Sequence, residues 1–279
     1  MSSTITEFAL VNEDSRISDH EMQCMARAIQ SYMANRVCPV WGFSPVPVRV
    51  RSKGDPGLLV NGVAVCRIVP TVKGAPPDAL GWHDETRGKP VMFVETNPIY
   101  ANGGVTLFSL SLPQTVTVAS VVAHEVIETR GDLSVNRWVD DPTQGAYGET
   151  AEELCDACED AIVPVTISDP STTGLNVIVG LSSFLHPAWF DAQNKTGPFD
   201  EAHVCRSAFS LSSGGGGYKI VRQVVRGSEK DAEHTRPARE LIRVQGAHYP
   251  AWRFEMKSHQ HSRGARRHRI EDSAKHHIA

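Results

Sequence analysis

Five consecutive residues, His124, Glu125, Val126, Ile127 and Glu128, carry side chains whose types and spacing could do chemistry. On a helix, positions i and i+4 share a face. His124 and Glu128 would then lie about 6 Å apart along the axis and could hold one metal ion. Glu125 follows His124, turned about 100° around the axis. A carboxylate there could act as general base toward a metal-activated water. Zinc accepts sets of imidazole and carboxylate ligands. One imidazole with two carboxylates is a harder, more negative set. It would raise the pKa of bound water relative to a two-histidine site and would suit manganese, calcium or iron as well.

A further ligand is required. Asp132 lies eight residues beyond His124, roughly 12 Å along an unbroken helix. It joins the same ion only if the helix ends at Gly131 and the chain folds back. The run ETAEELCDACED offers Glu152, Glu153, Cys155, Asp156 and Glu159. Read as a short second helix over 149–160, it makes Glu153 the favoured ligand. Asp156 is a further ligand or the partner that orients the His124 imidazole. Cys155 and Cys158 have the spacing of a redox pair or half a zinc knuckle, but no second pair at that spacing exists. His186, beside Trp189 and Phe190, is a second catalytic candidate after Glu125, able to stabilise an oxyanion or line a substrate groove. A structural role is the commoner fate of such a histidine, and His83 in GWHDE has the same standing. Tyr147 and Tyr218 could donate to an oxyanion.

These residues need elements to position them. Ser18 with Glu21 forms a capping box, and Met22, Met25, Ile29 and Met33 then recur at helical spacing. Pro39 and the following WGFSP segment should stop that helix. Strands are expected over 46–50, 62–69, 90–95 and 104–112, rich in β-branched and aromatic residues between Gly and Pro turns. A helix is expected over about 117–129, ending near Gly131. Val118, Val121 and Val122 are poor helix formers, so this helix should be buried rather than solvated. Buried carboxylates and a histidine then need partners or a metal. The segments 162–170, 176–191 and 218–225 read as strands and turns. The expected fold is α+β: a mixed sheet packed against the buried HExxE helix and a second helix.

The 279 residues suit one large domain with appendages. The boundaries expected are a domain over 1–225, with an N-terminal arm at 1–17 and a flexible Gly-rich loop at 212–217. A C-terminal extension over 226–258 and a mobile basic tail over 259–279 follow. With 41% apolar and 22% charged residues and a net charge of -4, bulk electrostatics does not favour nucleic acid. Only the tail could contact it. Six cysteines are too sparse for a disulfide scaffold, so reduced, buried thiols are expected. No secretory signal and no membrane span is read. Cytoplasmic synthesis follows, with packaging into a virion as a further destination.

Beyond the motif, six blocks in order resemble a family of bacterial and bacteriophage zincin-like proteins. They are VCPVWG (37–42), GWHDETRGKPVMFVE (81–95), AHEVIETRGD (123–132), EELCDACED (152–160), SSFLHPAWFD (182–191) and GGGYK (215–219). His124, Glu125, Glu128 and Asp132 match that family's helix motif, with Leu133 in place of its proline. Glu153, Cys155, Asp156 and Glu159 match a second block. The resemblance implies a zincin-like fold and metallopeptidase ancestry, and its phage members imply a virion or host-interaction role. The function expected is a Zn2+-dependent peptidase or amide hydrolase with Glu125 as general base. An extended peptide substrate would align on a sheet edge at 105–110. The alternative is a catalytically inactive zincin-like structural or interaction protein with partner proteins in a bacteriophage particle.

Overall fold

The computed structural model describes residues 4–75, 79–86, 89–133, 137–145, 148–223, 240–245 and 252–255. The first sheet contains β1 (Glu7–Asn12), β2 (Val48–Arg51), β3 (Val63–Val69), β4 (Gly81–Thr86) and β5 (Lys89–Glu95). Its order is β2-β1-β3-β5-β4, with β4 antiparallel at one edge and the other pairings parallel. The amino-terminal stretch expected as an arm therefore supplies a strand paired on both sides. Phe8, Ala9, Leu10 and Val11 are all buried, as a strand covered on both faces requires.

Helix α1 (Asp19–Tyr32) begins at the Ser18–Glu21 capping box, as its sequence indicates. Pro39 does not end the helical path. A π-turn at Met33–Val37 absorbs the register, and α2 (Cys38–Trp41) carries Pro39 in its first turn, where no N–H is needed. The path stops at Gly42, whose φ of 68° is the left-handed conformation glycine adopts freely. Helix α3 (Thr96–Ala101) follows β5. The stretch 104–112 is not a strand: Val105 makes one isolated bridge to Thr117. Leu110 and Leu112 are exposed, so β-propensity there meets no partner strand.

Helix α4 (Val118–Gly131) carries the HExxE run. Thr117 caps it, accepting from Ser120 N–H and donating to Gly180 O at 2.9 Å. Twelve of its fourteen residues are buried. The cause is its position: α4 packs on β3, β4 and β5 and also on β9 of the hairpin formed by β8 (Ile162–Ser168) and β9 (Asn176–Ser182). A helix covered on opposite sides can spend Val at most positions, because packing rather than propensity holds it.

The expected helix over 149–160 does not form. Its first residues belong to β7 (Gly148–Ala151), paired with β6 (Trp138–Asp140) on one side and β10 (Tyr218–Gln223) on the other. Only a 3-10 turn at Asp156–Cys158 remains helical. Strand pairing on both sides satisfies backbone groups that a helix would otherwise satisfy internally. The second sheet, β12-β11-β10-β7-β6, is antiparallel throughout. Its β11 (Glu240–Gln245) and β12 (Trp252–Glu255) fall within the expected extension over 226–258 and build directly onto β10. The tail at 259–279 lies outside the described residues. The molecule is thus α+β with mixed sheets, and among its described residues no helix is long and apolar enough to cross a membrane.

Candidate metal centre

Two separate segments converge on α4, and a third braces the second. The first is the edge strand β4. Gly81 pairs with Val94 and His83 with Met92. Side chains alternate across a strand, and Met92 and Val94 belong to the buried core shared with α4. Gly81 and His83 therefore turn toward the helix. Trp82, from the other phase, stacks on Phe93 at 5.2 Å. His83 is 3% exposed. Its Nδ1 lies 3.2 Å from Glu125 Oε2 and 3.5 Å from Glu128 Oε2, and its Nε2 lies 3.9 Å from Glu153 Oε2. The tautomer protonated at Nδ1 would donate to Glu125 and leave Nε2 facing Glu153.

Glycine at position 81 is required by this contact. A Cβ there would stand 2.7 Å from Glu125 Oε1 and 2.8 Å from Val121 Cγ1. The bare backbone lets the Glu125 carboxylate lie flat against the strand.

The second segment is the stretch 152–159, held against α4 by Cys155 N–H, which donates to Glu128 Oε1 at 3.2 Å. Leu185 N–H fixes the same stretch through Leu154 O at 2.6 Å. Glu153 and Asp156 are both buried. Asp156 Oδ1 lies 3.3 Å from His124 Nε2, which also lies 3.3 Å from Glu128 Oε2. Both Asp156 oxygens are buried without a well-formed hydrogen bond, although His124 and Tyr218 flank the carboxylate.

The third segment is the Gly-rich loop, which is packed rather than a free linker. Ser212 N–H donates to Ala157 O at 2.8 Å, and Ser212 Oγ and Gly216 N–H both donate to Asp160 Oδ2. A Cβ at Gly217 would stand 2.1 Å from Ala157 O. The loop lies this close to the turn bearing Asp156 because it has no side chains there.

Two ligand groups result. His83, Glu128 and Glu153 offer ligand atoms within 4.8 Å of one another, and so do His124, Asp156 and Glu159. All members of the first are buried; His124 and Glu159 in the second are half-buried. Burial alone would lower the His124 pKa, but Glu128, Asp156 and Glu125 override it and hold the pKa well above the usual value. Burial and the Glu128 charge push Asp156 up to about 6 against the pull of His124. Burial, reinforced by Glu128, raises the Cys155 thiol, so it stays protonated and its described role is the backbone contact. These imidazole nitrogens and carboxylate oxygens, those of Asp156 among them, are geometrically able to bind a divalent metal ion.

Of the residues singled out in the sequence, the structure brings together His124, Glu125, Glu128, Glu153, Asp156 and Glu159. Asp132 stands apart from both groups: its N–H closes the last turn on Glu128 O, and its Oδ2 accepts from Arg137 N–H at 2.8 Å. His186 points to Glu201, 3.5 Å away, and packs on Phe184. Burial lowers its pKa. Tyr147 lies outside the described residues. His83 is the residue that sequence reasoning undervalued. The signal was the period-two phase of GWHDE, which places Gly81 and His83 on the face of Met92 and Val94.

All six cysteines are buried and free, as the composition indicates. Comparison with protein-family models, with curated proteins and with solved structures finds no match to this chain.

Proposed function

We propose that this chain is a zincin-like, divalent-metal-dependent hydrolase of amide bonds, with peptides as substrates and zinc as the first candidate metal. One observation carries the reading: Glu125 is a buried carboxylate beside the ligand groups but a member of neither. A hydrolytic centre needs such a carboxylate, because ligand residues are committed to the metal. The ion would be held by one of these groups, His83, Glu128 and Glu153 or His124, Asp156 and Glu159. When bound, it would supply Lewis acidity toward the substrate carbonyl and acidify water. Glu125 would take the proton of the attacking water and deliver it to the departing amine nitrogen. His83 would keep the Glu125 carboxylate oriented through its Nδ1–H. Glu128 is held in place by the Cys155 N–H.

The test is EDTA-sensitive cleavage of a broad peptide library by the full chain. Glu125→Gln should lower cleavage by about 10²- to 10⁴-fold while metal content is unchanged.

Closure of the His83, Glu128 and Glu153 group favours a second reading: a catalytically silent structural or interaction protein, such as a virion component, with a metal that fastens segments together. Glu125 would then only orient His83. In that case the wild type cleaves nothing, and Glu125→Gln weakens metal binding by roughly 10- to 100-fold.

A further inference from the structure

We propose that the centre holds two divalent cations with Glu128 between them. The inference rests on the metal-binding part of the reading above and not on hydrolysis.

Three observations carry it. First, the two ligand groups share no residue: His83, Glu128 and Glu153 form one, and His124, Asp156 and Glu159 the other. Each supplies one imidazole and two carboxylates, the kind of set that holds a divalent ion. Second, the groups meet at one atom. Glu128 Oε2 lies 3.5 Å from His83 Nδ1 and 3.3 Å from His124 Nε2, while Glu128 Oε1 is fixed by Cys155 N–H. A carboxylate held between two imidazoles is placed to serve an ion on either side. Third, four carboxylates are buried together. Glu125, Glu128, Glu153 and Asp156 are at most 3% exposed and pair with the two imidazoles. Burying carboxylates side by side is costly without cations to offset their charge, and Glu159 of the outer group adds a further, half-buried one. The Asp156 oxygens, buried without a well-formed hydrogen bond, also point to a ligand in the outer group.

The two positions differ in access. The inner group is closed on all members, whereas His124 and Glu159 in the outer group reach partial exposure. The inner ion therefore exchanges slowly and the outer ion quickly, the pattern of one structural and one open position.

The experiment is to strip the full chain with chelator, reload it with Mn2+, dialyse, and measure manganese per chain together with the electron paramagnetic resonance spectrum. The expected result is two ions per chain with an exchange-coupled signal, because carboxylate-sharing ions lie roughly 3.5–4 Å apart. His124→Gln, at the half-buried position, should leave one ion and an uncoupled six-line spectrum. Brief chelation of the wild type should reach the same state. Circular dichroism confirms that the variant is folded, and the wild-type stoichiometry stands without it.

One ion per chain in the wild type overturns the proposal, as do two uncoupled ions or a coupled pair indifferent to His124→Gln. No bound metal overturns the hydrolase reading as well. Two coupled ions without peptide cleavage overturn that reading alone.

Discussion

Position 81 shows how much a single residue decides here. Gly81→Ala would place a methyl group 2.7 Å from a Glu125 oxygen and 2.8 Å from Val121. The strand edge or the helix must give, at about 1–3 kcal/mol of stability. Thermal melts should show that loss, and peptide cleavage should fall with it; unchanged melting would mean that Glu125 is not seated against the strand. Asp14 gives the clearest pH dependence. Arg16 hydrogen bonds, with help from Thr96 and against burial, lower its pKa from 3.8 to about 2. A carboxylate with a depressed pKa stabilises the fold above its unfolded value, and that contribution is lost as pH falls through the folded value. Asp14→Asn should thus cost about 1–2 kcal/mol at pH 7, discounted because Arg16 is 46% exposed. The gap to wild type should close between about pH 4 and pH 2 in denaturant titrations. At this scale the sequence was informative where spacing is local. His124, Glu125 and Glu128 are tied by helix geometry alone. His83 carries a weaker signal: the phase of GWHDE sets its face, but which strand edges α4 is a matter of sheet order that local spacing does not encode.

Among the elements, α1, β2, β3, β5, β8 and α4 follow from their periodicity and caps, and each lies within a few residues of its expected bounds. The failures share a cause. The stretches 104–112 and 149–160 have composition suited to one state and partners that impose another. The first lacks a neighbouring strand, and the second is claimed by β6 and β10. The Gly-rich loop is the same lesson reversed. Its composition reads as a linker, yet the absence of side chains is what lets it clamp the turn bearing Asp156. Gly217→Ala, with its Cβ 2.1 Å from a backbone oxygen, must lift the loop. Destabilisation of about 1–3 kcal/mol is expected. So is weaker metal binding in calorimetric titrations, in contrast to Gly174→Ala, where a Cβ meets nothing within 4 Å and only its φ of 84° is strained. Equal effects of the two substitutions on metal affinity would show that the clamp does not position Asp156.

For the molecule as a whole, a bound metal would join the first sheet, the central helix and the stretch leading from β7. It would therefore stabilise the folded chain by mass action, by about 2.7 kcal/mol at a free concentration a hundredfold above Kd. For a chain of this size that is roughly 5–10 °C in Tm, so EDTA should lower the melting temperature by that amount. A melt indifferent to EDTA and to added zinc would exclude a metal that bridges the three parts. The architecture was only partly legible in advance: layer class and the buried helix were readable, but strand order was not.

The ligands are also far apart along the chain. Glu125 meets His83 across 42 residues, and Glu128 meets Cys155 across 27. Closing such loops precedes any reward from the contacts they bring. The centre is therefore complete only after sheet, helix and turn have docked, which places ligation on the native side of the folding barrier. Interactions absent from the transition state slow unfolding and leave refolding nearly unchanged. Metal would then act as a brake on opening rather than as a nucleus for folding. Stopped-flow chevrons should show the unfolding limb dropping with metal while the folding limb stays in place.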